Sequence, residues 1–352
     1  MSSRLPWLTA VVTLTLAFRL SGAAEGPVPS AELKAAVARA LPPLTKGAVG
    51  HRESKSCFAC HNQGLPIMAM TTARARGLAI DSDELKGQLK AIAEFLGDNR
   101  AGYLEGKGQG GQADTAGYAL VTLAAAAWKP DETTSAVVEY LLQHHQDRDH
   151  WKNTSNRPPT EATPFTTTYL ALHSLTAFAQ SEHAERAAAR RKQVRKWLEK
   201  TPAKDTEDRA FRLLALEAAG AAPTEIEAAA KELLSKQQAD GGWAQLDGGE
   251  PESATKSDAY ATGTALYALK QAGGLAASAP AFTRGIAYLL QTQLDDGSWH
   301  VVSRSKPFQT YFETGFPHGN DQFISAAASA WATWALIAST DAKPSELKHS
   351  EN

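Results

Sequence analysis

A recurring turn constrains this chain more than any other feature. Tyr140-Leu141-Leu142-Gln143 leads to Trp151, and Tyr288-Leu289-Leu290-Gln291 leads to Trp299, each over eleven residues. Leu233 stands ten residues before Trp243, as Leu289 does before Trp299. The segments Gln238-Ala239-Asp240-Gly241-Gly242-Trp243 and Gln293-Leu294-Asp295-Asp296-Gly297-Ser298-Trp299 are variants of one turn. A period of about 50 residues is that of a helical repeat array. The turn has a physical reading. Gly242 or Gly297 ends a helix in a left-handed conformation, and the Gln bonds backbone groups left free there. The Trp then covers the junction with its indole N–H free to donate.

Helical periodicity dominates the rest of the chain, and no sustained period-two alternation follows residue 25. Two kinds of segment alternate. The first carries one apolar stripe: Leu33 to Leu44, Leu85 to Leu96, Val137 to Leu142, Val194 to Leu198, Ile226 to Leu234 and Phe282 to Leu290. The second is apolar or small nearly all round: 113–127, 164–179, 205–219, 257–271 and 321–339, with 61–76 as a more polar sixth. Six amphipathic and six buried helices in alternation predict an all-α fold.

Residues 1–24 read as a secretory signal. Arg4 gives a positive start, Leu8 to Phe18 an apolar stretch too short to span a bilayer, and Gly22-Ala23-Ala24 a cleavage site. The mature chain is expected to be periplasmic or secreted, with 30–340 as one domain, 341–352 a disordered tail and no membrane span. A net charge of −2 offers no basic field for nucleic acid.

The only two cysteines lie in Cys57-Phe58-Ala59-Cys60-His61. This is the C-x-x-C-H pattern of covalent haem c attachment, in which two thiols reach the porphyrin vinyls and His61 ligates iron from the proximal side. A disulfide or partial zinc binding by Cys57, Cys60 and His61 are the competing readings. In a closed ring the sixth pair neighbours the first. The 300–320 connection, with His300 and His318, could then supply a distal ligand, and His318 is the expected one. The segment from Gly106 to Gly111 lacks a P-loop ending and reads as a flexible connection.

The repeated turns resemble the QW repeats of squalene–hopene cyclases and, more broadly, the terpenoid cyclase and protein prenyltransferase superfamily. The resemblance covers about 30–340 and is most specific at 231–243 and 287–299. It implies a single (α/α)6 toroid of six outer and six inner helices with QW-like repeat turns. Together with the C-x-x-C-H segment, the chain looks like an exported bacterial variant of that group. Triterpene cyclases protonate an alkene or epoxide with an Asp-x-Asp-Asp acid, and the nearest match is Asp205-Thr206-Glu207-Asp208, with Glu207 in the proton donor's place. These acids also sit where an N-cap belongs, which is the favoured reading of them. The prenyltransferase Asp–Cys–His zinc site has no counterpart, because no cysteine lies near the later helices. Tyr118, Tyr169, Phe211, Tyr260, Phe323, Trp331 and Trp334 lie on the inner ring, as core packing or as the lining of a cavity.

Three functional readings follow. The first is a mono-haem toroid passing electrons to a redox partner protein or sensing redox state. The second is an enzyme acting on an apolar isoprenoid ligand with Glu207 or Asp208 as acid. The third is a toroid that binds a ligand or protein without catalysis. The haem reading leads here, because it alone explains both cysteines. Oligomeric state has no signature in the sequence.

Overall fold

The computed structural model describes residues 28–307 and 309–340. The expected signal segment 1–24 and tail 341–352 lie outside the described residues.

The alternation of amphipathic and apolar segments becomes two concentric rings of helices. The outer ring is α1 (Ser30–Ser54), α3 (Ser82–Gly97), α6 (Glu132–Gln143), α8 (Ala184–Lys200), α10 (Pro223–Leu234) and α12 (Pro280–Thr292). The inner ring is α2 (Leu65–Ala75), α5 (Gln112–Ala125), α7 (Pro164–Phe178), α9 (Thr206–Ala218), α11 (Ala259–Gln271) and α13 (Gln322–Ala338). A short α4 (Arg100–Leu104) interrupts the connection from α3 to α5. Each inner helix packs on the next, from α2 through α5, α7, α9 and α11 to α13, and α13 returns to α2. The fold is all-α, a single (α/α)6 toroid. Helices α7, α11 and α13 bury most of their surface on every side, whereas the outer helices bury one stripe. No described helix is long and apolar enough to cross a membrane.

The repeat turns show how the ring closes. Trp151, Trp243 and Trp299 are fully buried, and each indole N–H donates to a carbonyl ten residues earlier, at Leu141 (2.9 Å), Leu233 (2.9 Å) and Leu289 (2.8 Å). Gln237, not Gln238, bridges the fifth turn. Its amide donates to Gly241 O and to Ala281 O in α12, both at 2.8 Å, and Arg284 donates to its carbonyl oxygen. Gln293 repeats this on α1, donating to Gly297 O (3.0 Å) and Ala36 O (2.9 Å) while Arg39 donates to it at 2.6 Å. The sixth turn therefore docks on the first outer helix as the fifth docks on the sixth, with the same side chains in the same offsets.

Two details of the turn differ from expectation. The outer helices end at Leu234 and Thr292, before the glycines, and the left-handed residues are Gly241 and Gly297 (φ 90° and 85°), not Gly242. Close approach of the next helix explains the choice. A Cβ on Gly241 would meet Arg284 O at 2.6 Å, and one on Gly297 would meet Arg39 O at 2.0 Å.

The bore of the toroid is packed. Tyr169, Phe211, Tyr267, Trp331 and Trp334 come from four inner helices and meet there, with ring centroids 4.5–6.4 Å apart along the chain of contacts. Of the expected inner aromatics, these four fill the core, and Tyr267 joins them.

Candidate functional site

The inner helices α5, α7, α9, α11 and α13 all begin at one rim, where the outer-to-inner connections converge. The C-x-x-C-H segment lies there, in the connection from α1 to α2. Cys57 is exposed. Cys60 is buried at the start of a π-helical turn, Cys60–Gly64, that leads into α2. His61 packs edge-on against Phe323 at the start of α13, with centroids 5.1 Å apart, which puts the segment beside the seam of the ring. Burial pushes the His61 imidazole down to about 3, assisted by His51 and Arg157.

A second connection, between α6 and α7, reaches the same place. Residues 157–161 form a tight turn in which Arg157 and Glu161 exchange backbone bonds at 3.0 and 3.2 Å and pair through their side chains at 3.0 Å. The Cys60 thiol donates to the buried Glu161 carboxylate, and Cys60 Sγ lies 3.4 Å from His61 Nδ1. Burial first, and then the Glu161 charge, raise the Cys60 thiol well above its usual range. Two cavities adjoin this point and share His61, Arg157 and Gln309. One, of about 410 Å³, has Pro158, Pro307, Tyr311, Phe323 and Ile324 in its walls. The other, of about 470 Å³, is lined by Cys57, Cys60 and Glu161 and by Gly108, Gly110 and Gly111. The glycine segment expected as a plain connection thus frames a cavity.

The acids at the start of α9 separate into three roles. Asp205 is the N-cap, accepting from Asp208 N at 2.9 Å, as the capping reading expects. Asp208 clasps the start of α7 to α9, accepting from Thr163 Oγ1 and from Lys204 N at 3.0 Å. Glu207 does neither. It is 5 % exposed, and its Oε1 accepts from Thr166 Oγ1 at 2.9 Å and Tyr260 OH at 3.3 Å. Its Oε2 is buried with no partner among the described residues. Burial raises this carboxyl well above the usual range, outweighing the two hydroxyls, and the charges of Asp205 and Asp208 push the same way. The dipole of α9 favours an anion by at most about 2 kcal/mol, whereas burying a charge costs several kcal/mol. Burial therefore favours the protonated form of Glu207 over its anion.

Tyr118 and Tyr260 join this acid to the cysteine. Burial raises both hydroxyls well above their usual range, and ionising either Glu207 or Cys60 would push each tyrosine the same way. Tyr118 OH also donates to Thr160 O, next to Glu161, at 3.3 Å. Glu207 faces a closed crevice lined by Pro159, Asp205, Gln245, Tyr260 and Arg304. Pro158 and Thr160, and Ser303 and Ser305, line the 410 Å³ cavity, so two connections stand between that cavity and the acid.

His318 is held elsewhere. Its Nε2 bonds Ser298 Oγ at 2.7 Å, its ring stacks on His300 at 4.8 Å, and it lines neither cavity that His61 lines. Asp321 secures the same connection by accepting from Ser303 N and bonding His300, both at 2.8 Å. Glu161 had no signal as a site residue in the sequence, whereas Tyr118 was legible only as an inner-ring aromatic. Glu161 lies 101 positions from Cys60, in a connection without a motif.

Comparison with known proteins agrees with this architecture. The family model of the squalene-hopene cyclase C-terminal domain matches residues 209–324. No curated protein sequence matches the chain. Among solved structures, the type II terpene cyclase MstE from Scytonema is 16 % identical over 88 % of this chain and 98 % of its own, with a TM-score of 0.54. A variant of that enzyme in complex with geranylgeranyl dihydroxybenzoate, its substrate, is 15 % identical, covering 89 % and 99 %, with a TM-score of 0.57. A possible member of the GH105 family from Salmonella enterica is 15 % identical, covering 88 % and 94 %, with a TM-score of 0.54. At such identities the likeness is one of fold.

Proposed function

We propose that this chain is a terpenoid-cyclase-like enzyme in which Glu207 donates a proton to an apolar, unsaturated isoprenoid ligand. One observation carries the reading: Glu207 is a buried carboxyl whose Oε2 has no partner among the described residues, in a setting where burial favours the protonated form. Burial of this kind is how an acid keeps its proton at neutral pH for delivery to a substrate. The match to a squalene-hopene cyclase domain, which begins two residues after Glu207, supports the same reading. So does the isoprenoid substrate bound by the Scytonema enzyme. The walls of Phe323, Ile324, Tyr311 and two prolines suit an apolar ligand. To reach the acid, a ligand in that cavity must part Pro158–Thr160 from Ser303–Ser305.

The fold and the setting of Glu207 favour this enzyme over the haem reading that leads from the sequence alone. They also favour it over a non-catalytic module. The exposed large apolar side chains among the described residues come from two connections, Leu104 from that between α3 and α5, and Leu294, Val302 and Tyr311 from that between α12 and α13.

The test pairs two conservative variants, assayed on squalene and on geranylgeranyl dihydroxybenzoate. Glu207→Gln keeps the shape and removes the proton, and should lower kcat by about 10²–10⁴-fold. Asp205→Asn keeps the cap and should leave kcat within a few-fold of the parent. Equal losses in both, accompanied by a lowered Tm, would make all three acids structural.

A further inference from the structure

We infer that Cys60, His61 and Glu161 form a binding site for a divalent transition metal such as zinc, with an open position on the 470 Å³ cavity. The site goes beyond the proton-donor reading and does not depend on it. Three different donor atoms, a thiol sulfur, an imidazole nitrogen and a carboxylate oxygen, lie within 4.8 Å of one another. Sulfur, nitrogen and oxygen together are the donor set of zinc, with bonds of about 2.3 Å to sulfur and about 2.0–2.2 Å to nitrogen and oxygen. In a tetrahedron those bonds put sulfur and nitrogen about 3.6 Å apart. Cys60 Sγ and His61 Nδ1 are separated by 3.4 Å already.

The three side chains are brought in from two connections, far apart in the chain, and held there. Cys60 and Glu161 are buried, the Arg157–Glu161 turn fixes the carboxylate, and the Cys60 thiol points its hydrogen at that carboxylate. A metal ion would take the place of that one proton. The S–H bond breaks, a sulfur–metal bond forms, and the proton leaves to solvent with no change of oxidation state. Thiolate and carboxylate then balance the two positive charges. All three donors line the 470 Å³ cavity, so a fourth position would be left for water or a ligand, as in zinc sites that act chemically.

Dependence on Cys57 separates this site from covalent haem. Haem attachment uses both thiols, whereas Cys57 is exposed and outside the donor cluster. The experiment titrates the untagged, reduced, metal-free protein with zinc, and with cobalt(II) as a spectroscopic probe. The expected result is one equivalent bound, with a thiolate-to-cobalt absorption band. Affinity should fall at least about 100-fold in Cys60→Ser and in Glu161→Gln, and should be kept in Cys57→Ser. Circular dichroism shows that each variant is folded. Absence of binding, binding that survives Cys60→Ser, or covalent haem that requires Cys57 would each overturn the site. Glu207→Gln should leave the titration unchanged, so the two proposals fail separately.

Discussion

Glu207 and Asp205 stand two residues apart on α9, yet one side chain turns to its own helix and the other into the toroid. Asp205 satisfies a free N–H of the first turn, so Asp205→Ala should cost about 1 kcal/mol and Asp205→Asn almost nothing. Glu207 has the opposite sign. Its folded-state pKa lies above the ordinary glutamate value of 4.5, so above that value the folded chain holds a proton that the unfolded chain releases. Stability therefore falls as pH rises from about 4.5 toward the folded pKa, by at most about 1.4 kcal/mol per pH unit from this one group. Glu207→Gln removes the dependence. Thermal denaturation should show it more stable than the parent at pH 7–8, with the difference closing as pH falls to 4. Asp258 shares the direction, being pushed up to about 6 by burial while it caps α11. The four-residue motif pointed to these acids but could not assign their roles. Residues 205, 207 and 208 fall on different sides of the first turn, and only the neighbours Thr163, Thr166 and Tyr260 show which side is the interior.

Helices were the legible elements. Six stripes and six apolar segments were readable because each helix buries either one face or all of them, and burial fixes composition. The turns were half legible. Trp151, Trp243 and Trp299 do cap the junctions, but Gln237 and Gly241 were each mistaken for the next residue. Both stand in like pairs, Gln237-Gln238 and Gly241-Gly242, and the choice within each is made by α12, some 40 residues later. A comparison of two glycines tests this account. Gly274 is left-handed (φ 65°) with open space at its Cβ, so Gly274→Ala should cost about 1–2 kcal/mol of backbone strain. Gly297 carries similar strain and would also drive a Cβ into Arg39 O, so Gly297→Ala should cost about 3–5 kcal/mol. Urea denaturation of the two variants measures the difference, and equal costs would refute the close approach at the seam.

At the scale of the molecule, closure of the ring decides both cooperativity and chemistry. The sixth turn grips α1 through Gln293 and Arg39, so among the described residues no repeat is terminal, and an open array's end-to-end fraying is removed. Unfolding in urea should give one transition, superimposable by far-UV circular dichroism and by the fluorescence of the eight tryptophans. Two separated transitions would mean that the seam opens first. Closure also gathers groups that no local pattern connects. Cys60 comes from the first connection and Glu161 from the third, and they meet at the rim where the inner helices start, with Glu207 of the fourth inner helix at that same rim. The sequence could point to Cys60, His61 and Glu207 by motif, but Glu161 and Tyr118 gain their meaning only from the closed ring. The most direct measurement of the central claim is deuterium incorporation. Squalene and geranylgeranyl dihydroxybenzoate are incubated with the protein in D₂O, and products are read by mass spectrometry. The account predicts a cyclised product carrying one deuterium on carbon, absent with Glu207→Gln. Product without deuterium, equal yield from Glu207→Gln, or no turnover of either compound would contradict it.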